Sequence, residues 1–431
     1  MLSLSRYAVL DKQTPFSYVV WGMLIHVMAY VLVQATQLTM IYAGICVVGW
    51  YYILMGFYLE RRELFMQLHG KYLMMLMAYI GLCIVMIARG YMIDYPYPWF
   101  SNEGMINYHF FAPHYILPYL MPFILLWPVE HYDFRCLVRA SVVVSILVIL
   151  VFVVFYDEIL ESSLKQSIGQ LNKSYEAQSE NFQPLGELYF NVAIIVLCRK
   201  YVTSKVWLIN TAGLVVSLLI NLMAARRGNS AIYGALVLFN IYFYIRSLSY
   251  RARVFATIAT ALVVGSAVYV SMSFSGFNYI RKRATIDNRS QVDEALMSQM
   301  TEEEEWFGKG LNGRYYFNLY LYNDRYDGWR YLSETGYYNM ILKGGYVMTW
   351  LYILLLLYPA YVGFFKSRNL LCKAFSFIIF LSLLELYPFG HLLFNLKFMI
   401  IWMGLAFNTN SYVREMDDEE IYQYYFEPYD D

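Results

Sequence analysis

Long apolar runs separated by short polar connectors recur along the whole chain and set the first expectation. Runs of about 17–22 apolar residues, wound as α-helices, are long enough to cross a hydrocarbon core of about 30 Å. They place spans near 18–35, 38–58, 72–88, 112–128, 140–156, 186–198, 206–224, 230–245, 254–272, 346–363, 374–387 and 392–407. The pattern predicts an all-α, polytopic integral membrane protein of about 12 transmembrane helices, forming a single transmembrane domain over 1–431. The first segment, MLSLSRYAVLDKQTPF, carries Arg6 and Lys12 and enters a full-length span with no small-residue cleavage motif, so an uncleaved first helix is expected. Segment 157–185 has another rhythm: Leu160, Leu164, Ile168, Leu171 and Tyr175 recur at near-helical spacing among charged residues. That predicts an amphipathic helix lying along the interface.

Composition agrees. Of 431 residues, 59% are hydrophobic and only 15% charged, where a soluble chain shows roughly 25% charged. The many aromatics (44 Tyr, 29 Phe and 9 Trp) gather near span ends, where amphipathic rings favour the headgroup layer. A formal net charge of zero argues against a nucleic-acid partner. The five cysteines are scattered singly, without a CxxC, and indicate neither a disulfide framework nor a zinc site.

Charge then orients the spans. With the N-terminus inside, alternation sends the groups Arg61/Arg62/Lys71, Arg135/Arg139, Arg199/Lys200/Lys205, Arg246/Arg251/Arg253 and Lys366/Arg368/Lys373 to the cytoplasmic side. Short basic connectors belong there by the positive-inside rule. Both termini are then cytoplasmic, and the acidic, tyrosine-rich tail 408–431 is expected to be a solvated appendage. Segments 89–111 and 157–185, the junction AARRGNS and a large loop over 273–337 face outward. Within 89–111, Arg89, Asp94, Glu103 and His109 stand among aromatics suited to sugar rings, and Pro96 and Pro98 argue against helix.

Arg226 and Arg227, in the outward junction, break the rule. An arginine at a bilayer centre costs roughly 2.5–3.5 kcal/mol on the insertion scale, so a pair there calls for a reason beyond orientation. One reading is anchoring, with both side chains snorkelling to the outer headgroups. The other is anion binding. The large loop also carries Arg281, Lys282, Arg283, Arg289, Lys309, Arg314, Arg325 and Arg330, interleaved with acidic groups such as Asp293, Asp324, Asp327, Glu334 and the run Glu302–Glu305. Guanidinium forks hold phosphate oxygens bidentately and keep their charge. A lipid-linked diphosphate is the anion expected at an outer membrane surface. Within the loop, VDEALMSQM reads as helix, FGKGLNG as a glycine-rich turn, and YLSETGYYNMILKGG as the lead into the tenth span.

The order of these features resembles a known family. A span ending in outward Arg-Arg-Gly (NLMAARRGNSAIYGALVLFN) precedes, by one helical hairpin, a large outer loop holding WFGKGLNG and then ETGYYNMILKGGYV. Over roughly 186–365 this resembles the bacterial O-antigen polymerase and O-antigen ligase superfamily. The resemblance implies a GT-C-like helical bundle in the bacterial inner membrane, with its active face periplasmic. It also implies metal-independent, cofactor-free transfer of a glycan from undecaprenyl diphosphate to an acceptor. Arg227, with Arg226, matches the family's membrane-embedded arginine; Arg289, and after it Arg283, match the loop arginines. Glu334 falls where ligases carry a histidine, and none of the six histidines lies in the large loop, which favours the polymerase (Wzy-type) branch.

The mechanism expected is an inverting displacement. Arg226, Arg227 and Arg289, with Arg283, Arg281 and Arg314 nearby in sequence, hold the diphosphate. Glu334, with Asp324 and Asp327 in reserve, takes the acceptor hydroxyl proton. An alternative role for Glu334 is first-turn stabilisation of the following helix dipole. Partners would be the donor and acceptor undecaprenyl-diphosphate oligosaccharides, membrane lipids and a chain-length regulator. Two other functions stay open: ligation of the glycan to a lipid core, and transport by a lipid-linked oligosaccharide flippase. A flippase would be expected to show paired repeats, and none is visible.

Overall fold

The computed structural model describes residues 14–36, 39–64, 70–92, 115–157, 190–223, 227–246, 248–258, 289–317, 329–333, 335–387 and 392–427. Those residues form an all-α membrane protein. Six helices are long and apolar enough to cross a bilayer, over Ile41–Glu60, Tyr72–Gly90, Phe134–Val154, Ser204–Leu222, Gly228–Arg246 and Gly336–Phe365. Large apolar side chains such as Met74, Ile84, Leu208 and Trp350 stand exposed on them, as lipid-facing positions do. Among the described residues the strands amount to one antiparallel pair, β1 (Tyr315–Tyr316) with β2 (Trp329–Arg330). The chain divides into two compact units, Met1–Leu137 with Asn288–Asp431, and Val138–Asp287.

The first unit opens with a glycine-seamed hairpin. Helices α1 (Pro15–Thr36) and α2 (Thr39–Glu60) approach so closely that a Cβ on Gly22 would lie 2.6 Å from the Gly49 carbonyl oxygen. One on Gly56 would lie 2.7 Å from that of Pro15. Small residues at such a seam let backbones gain packing in lipid, where apolar burial alone contributes little. Helix α3 (Gly70–Met92) follows. The expected span near 112–128 is instead a 3-10 helix, Leu117–Leu126, with Pro118 and Pro122 within it. Pro122 has no N–H to continue an α-helical ladder. Ten residues at about 2.0 Å each also fall short of a bilayer core.

Helix α4 (Phe134–Val154) is capped by Asp133, whose Oδ1 accepts from the Cys136 N–H at 2.9 Å and Oδ2 from the Thr14 hydroxyl at 2.8 Å. The first unit resumes with α10 (Gly336–Phe365), α11 (Leu370–Glu385) and α12 (Leu396–Thr409). Helix α12 is buried from Leu396 to Asn408, yet 14 residues span only about 21 Å; it is a core helix within the unit. Helix α10 begins ten residues before the span expected at 346–363.

The tail corrects the expectation of a solvated appendage. Asn410 caps α13 (Ser411–Glu415), an Asp417/Glu420 capping box starts α14 (Asp418–Ile421), and a π-turn follows over Tyr422–Phe426. Val413, Ile421, Tyr425 and Phe426 are buried. Phe407 collects the cluster, with ring centroids 5.1 Å from Tyr425, 5.3 Å from Phe134 and 5.4 Å from Phe375. The apolar residues interleaved with the acidic ones supply enough buried surface to order a segment whose charge suggested otherwise.

In the second unit, α5 (Phe190–Leu197), α6 (Ser204–Met223) and α7 (Arg227–Arg246) follow α4. Ser145 donates to Asn210 Oδ1 at 2.8 Å, and Trp207 Nε1 donates to Asn240 at 3.3 Å. The guanidinium of Arg199 lies over Trp207 and Tyr244, 4.8 and 4.4 Å from their centroids. That contact puts the basic residues Arg199 and Arg246 at one end of the α6–α7 hairpin, and the start of α7 at Arg227 at the other. The amphipathic helix expected at 157–185 and most of the span at 254–272 lie outside the described residues. All five cysteines are free thiols.

Candidate functional site

The large loop builds a compact polar platform on the start of α10. Helix α8 (Arg289–Met297) covers VDEALM, as its pattern predicts. Its apolar face, Val292 and Leu296, packs with Met300 and Tyr315 onto Ile341 and Leu342 of α10. A Thr301/Glu304 capping box starts α9 (Glu302–Phe307), so the acidic run sits at a helix N-terminus, where the dipole favours it.

The glycine-rich turn then locks into a break in α10. Gly345 has φ of 71° and interrupts the helix, releasing carbonyls of the preceding turn. Lys309 N–H donates to the Leu342 oxygen at 2.7 Å, and Gly310 N–H to that of Lys343 at 3.0 Å. Gly308 and Gly310 also have positive φ, which only glycine adopts cheaply. Two buried lysines complete the lock. Lys343 Nζ donates to the Leu311 and Gly313 carbonyls at 2.7 and 3.0 Å. Lys309 Nζ donates to the Gln299 carbonyl at 2.7 Å and lies 3.7 Å from Glu304. The end of α3 joins from below: Leu311 N–H donates to the Met86 oxygen at 3.1 Å, and Arg89 Nη1 to that of Phe307 at 3.0 Å.

At the edge of this platform lies the turn entering α10. Asp293 accepts from the Ser333 hydroxyl at 2.7 Å and from the Thr335 hydroxyl at 2.8 Å, one on each carboxylate oxygen. Asn339 Nδ2 donates to the Ser333 carbonyl at 2.8 Å while its Oδ1 accepts the Ser333 N–H. The residues on either side of position 334 are thus held by an acidic side chain from α8 and an amide from α10. Arg289 opens α8, about one helical turn before Asp293 in the chain.

The structure therefore relates the backbone at Arg289 to the flanks of Glu334 and places the side chain of Arg314. Arg314 lies with its guanidinium 4.3 Å from the Trp329 ring centroid, beside the β1–β2 ladder. Arg227 is the first residue of α7, in the other unit. Glu334, Asp324, Asp327, Arg226, Arg281 and Arg283 lie outside the described residues. Asp293, Ser333, Thr335 and Asn339 were missed as site residues by sequence reasoning. The i, i+4 spacing of Arg289 and Asp293 and the hydroxyls bracketing Glu334 are the signals that could have found them.

Fold and platform together define the class: an all-α integral membrane protein with a polar, extramembrane-type insertion anchored on one helix end. No protein-family model matches the chain, and neither the curated proteins nor the solved structures contain a match to it.

Proposed function

We propose that the protein is a polymerase that joins undecaprenyl-diphosphate-linked oligosaccharide repeat units into a surface polysaccharide. It acts at the periplasmic face of a bacterial inner membrane. The observation that carries this reading is the Asp293 bridge, which ties the helix opening at Arg289 to both neighbours of Glu334. It supports a common location for the loop arginine and the carboxylate that the sequence assigns to one reaction. The second support is the position of Arg227. A cation in the first turn of a 20-residue helix opposes the helix dipole by roughly 0.3–1 kcal/mol. A bound diphosphate reverses that penalty, since a helix N-terminus favours an anion.

In this mechanism Arg226, Arg227 and Arg289 grip the donor diphosphate, and their attraction for it grows as the leaving group gains charge. Glu334 accepts the proton of the acceptor hydroxyl as its oxygen attacks the anomeric carbon, and the diphosphate departs from the opposite face. Asp293 holds the Glu334 turn in place. The test is polymer length in cells expressing Glu334→Gln, Arg227→Ala or Arg289→Ala at wild-type level. Single repeat units on the outer surface are the expected product. Full-length polymer from all three removes the assignment. Labelling of cysteines introduced at 224–230 and 281–289 checks the orientation separately.

A further inference from the structure

At the end of the first unit away from the platform, three side chains with metal-ligand chemistry meet. Glu60 closes α2, Glu63 lies in the turn after it, and His131 ends the short 3-10 helix Val129–His131. One donor atom from each lies within 4.8 Å of the other two. His131 Nδ1 hydrogen-bonds Glu60 Oε1, and its Nε2 is 4.0 Å from Glu63 Oε2. The side chain of Glu60 is 5% exposed, those of His131 and Glu63 41% and 56%. The cluster has a buried floor and an open mouth.

We propose that Glu60, Glu63 and His131 form a divalent-cation site of the zinc and manganese class, clamping the end of α2 to the segment that enters α4. The site is independent of the glycosyl-transfer reading and lies at the other end of its unit.

The chemistry argues for a cation in three steps. A buried carboxylate favours a cationic partner, and a divalent cation held between Glu60, Glu63 and His131 would supply that charge while using the imidazole as a further ligand. Arg61, adjacent in sequence, is engaged elsewhere: its guanidinium lies 4.1 Å from the Tyr58 ring centroid and donates to the Tyr58 carbonyl at 2.7 Å. Asp133, close in sequence to His131, is occupied by Thr14 and the Cys136 N–H. Second, an imidazole among carboxylates suits zinc or manganese, whereas calcium and magnesium favour all-oxygen sets. Third, three protein ligands leave a fourth position for water, which the open mouth can admit. Binding through Nδ1 uses the neutral imidazole with its proton on Nε2, so the exchange with the Glu60 hydrogen bond balances as a tautomer shift.

The test is calorimetric titration of the EDTA-stripped, full-length protein in detergent with zinc chloride and, separately, manganese chloride. One equivalent of at least one cation should bind, with a rise in Tm on saturation. Glu63→Gln, at an exposed position, should melt like the stripped wild type yet bind at least tenfold more weakly, and His131→Ala should not bind. No binding of either cation to the wild type overturns the proposal. So does binding of unchanged affinity and stoichiometry in Glu63→Gln, which alone decides the matter where His131→Ala does not fold.

Discussion

The two ends of the first unit are built on opposite principles. At one, the chain closes over itself with rings: Phe134, Phe375, Phe407, Tyr425 and Phe426 interlock, and Asx side chains cap the short helices around them. At the other, three glycines with positive φ, two buried lysines and a carboxylate shared by two hydroxyls hold a loop against a broken helix. Ring packing is broad and tolerant, because many small contacts share the energy. A polar lock is narrow, because each buried donor or acceptor left unmatched costs about 1–3 kcal/mol. The second end should therefore be rigid where it is anchored and specific in what it can present. That is the property the proposed site for a charged, sugar-bearing substrate would need.

That contrast can be broken most severely at Gly345. A Cβ there would lie 2.2 Å from the Trp306 carbonyl carbon and oxygen. Gly345→Val should prevent the loop from seating and abolish both activity and the monodisperse folded species, read by size-exclusion chromatography in detergent. Next comes Asp293→Ala, which strands two hydroxyls and frees the turn at position 334. It should cost about 1–3 kcal/mol in thermal stability and most of the polymerising activity, while Asp293→Asn should keep more of both. The smallest effect on activity is expected at the ringed end. Asn369 accepts from the Cys372 N–H at 2.9 Å as the α11 cap and donates to the Val413 and Met416 carbonyls. Asn369→Ala should cost about 1 kcal/mol for the cap and about 1–3 kcal/mol for each carbonyl it leaves unmatched, visible as earlier proteolysis of the tail, with polymer length unchanged. Equal loss of activity from Asn369→Ala and Asp293→Ala would erase the distinction between the ends.

Much of the helical framework was legible because it depends on local patterns. Spans expected near 38–58, 72–88, 206–224 and 230–245 appear as α2, α3, α6 and α7, with ends shifted by a few residues. The misreadings have local causes. Hydropathy over 112–128 hid the backbone consequence of Pro118 and Pro122, and the charge of the tail hid its buried Ile421, Tyr425 and Phe426. In the candidate site, the apolar spacing of Val292 and Leu296 revealed α8 and the glycines revealed the turn. Nothing along the chain joined Asp293 to Ser333 and Thr335, forty residues on, or Glu60 to His131.

By itself, the sequence determined that this is a helical membrane protein whose charged residues concentrate in particular connectors. Transfer of apolar side chains out of water and the cost of charge in lipid act residue by residue, so they can be read without a fold. Tertiary structure alone decided which carboxylate holds which turn, where α10 breaks, and that the acidic tail packs. Those outcomes depend on hydrogen-bond distances of about 3 Å between remote segments, and only the packed backbone brings such groups within reach.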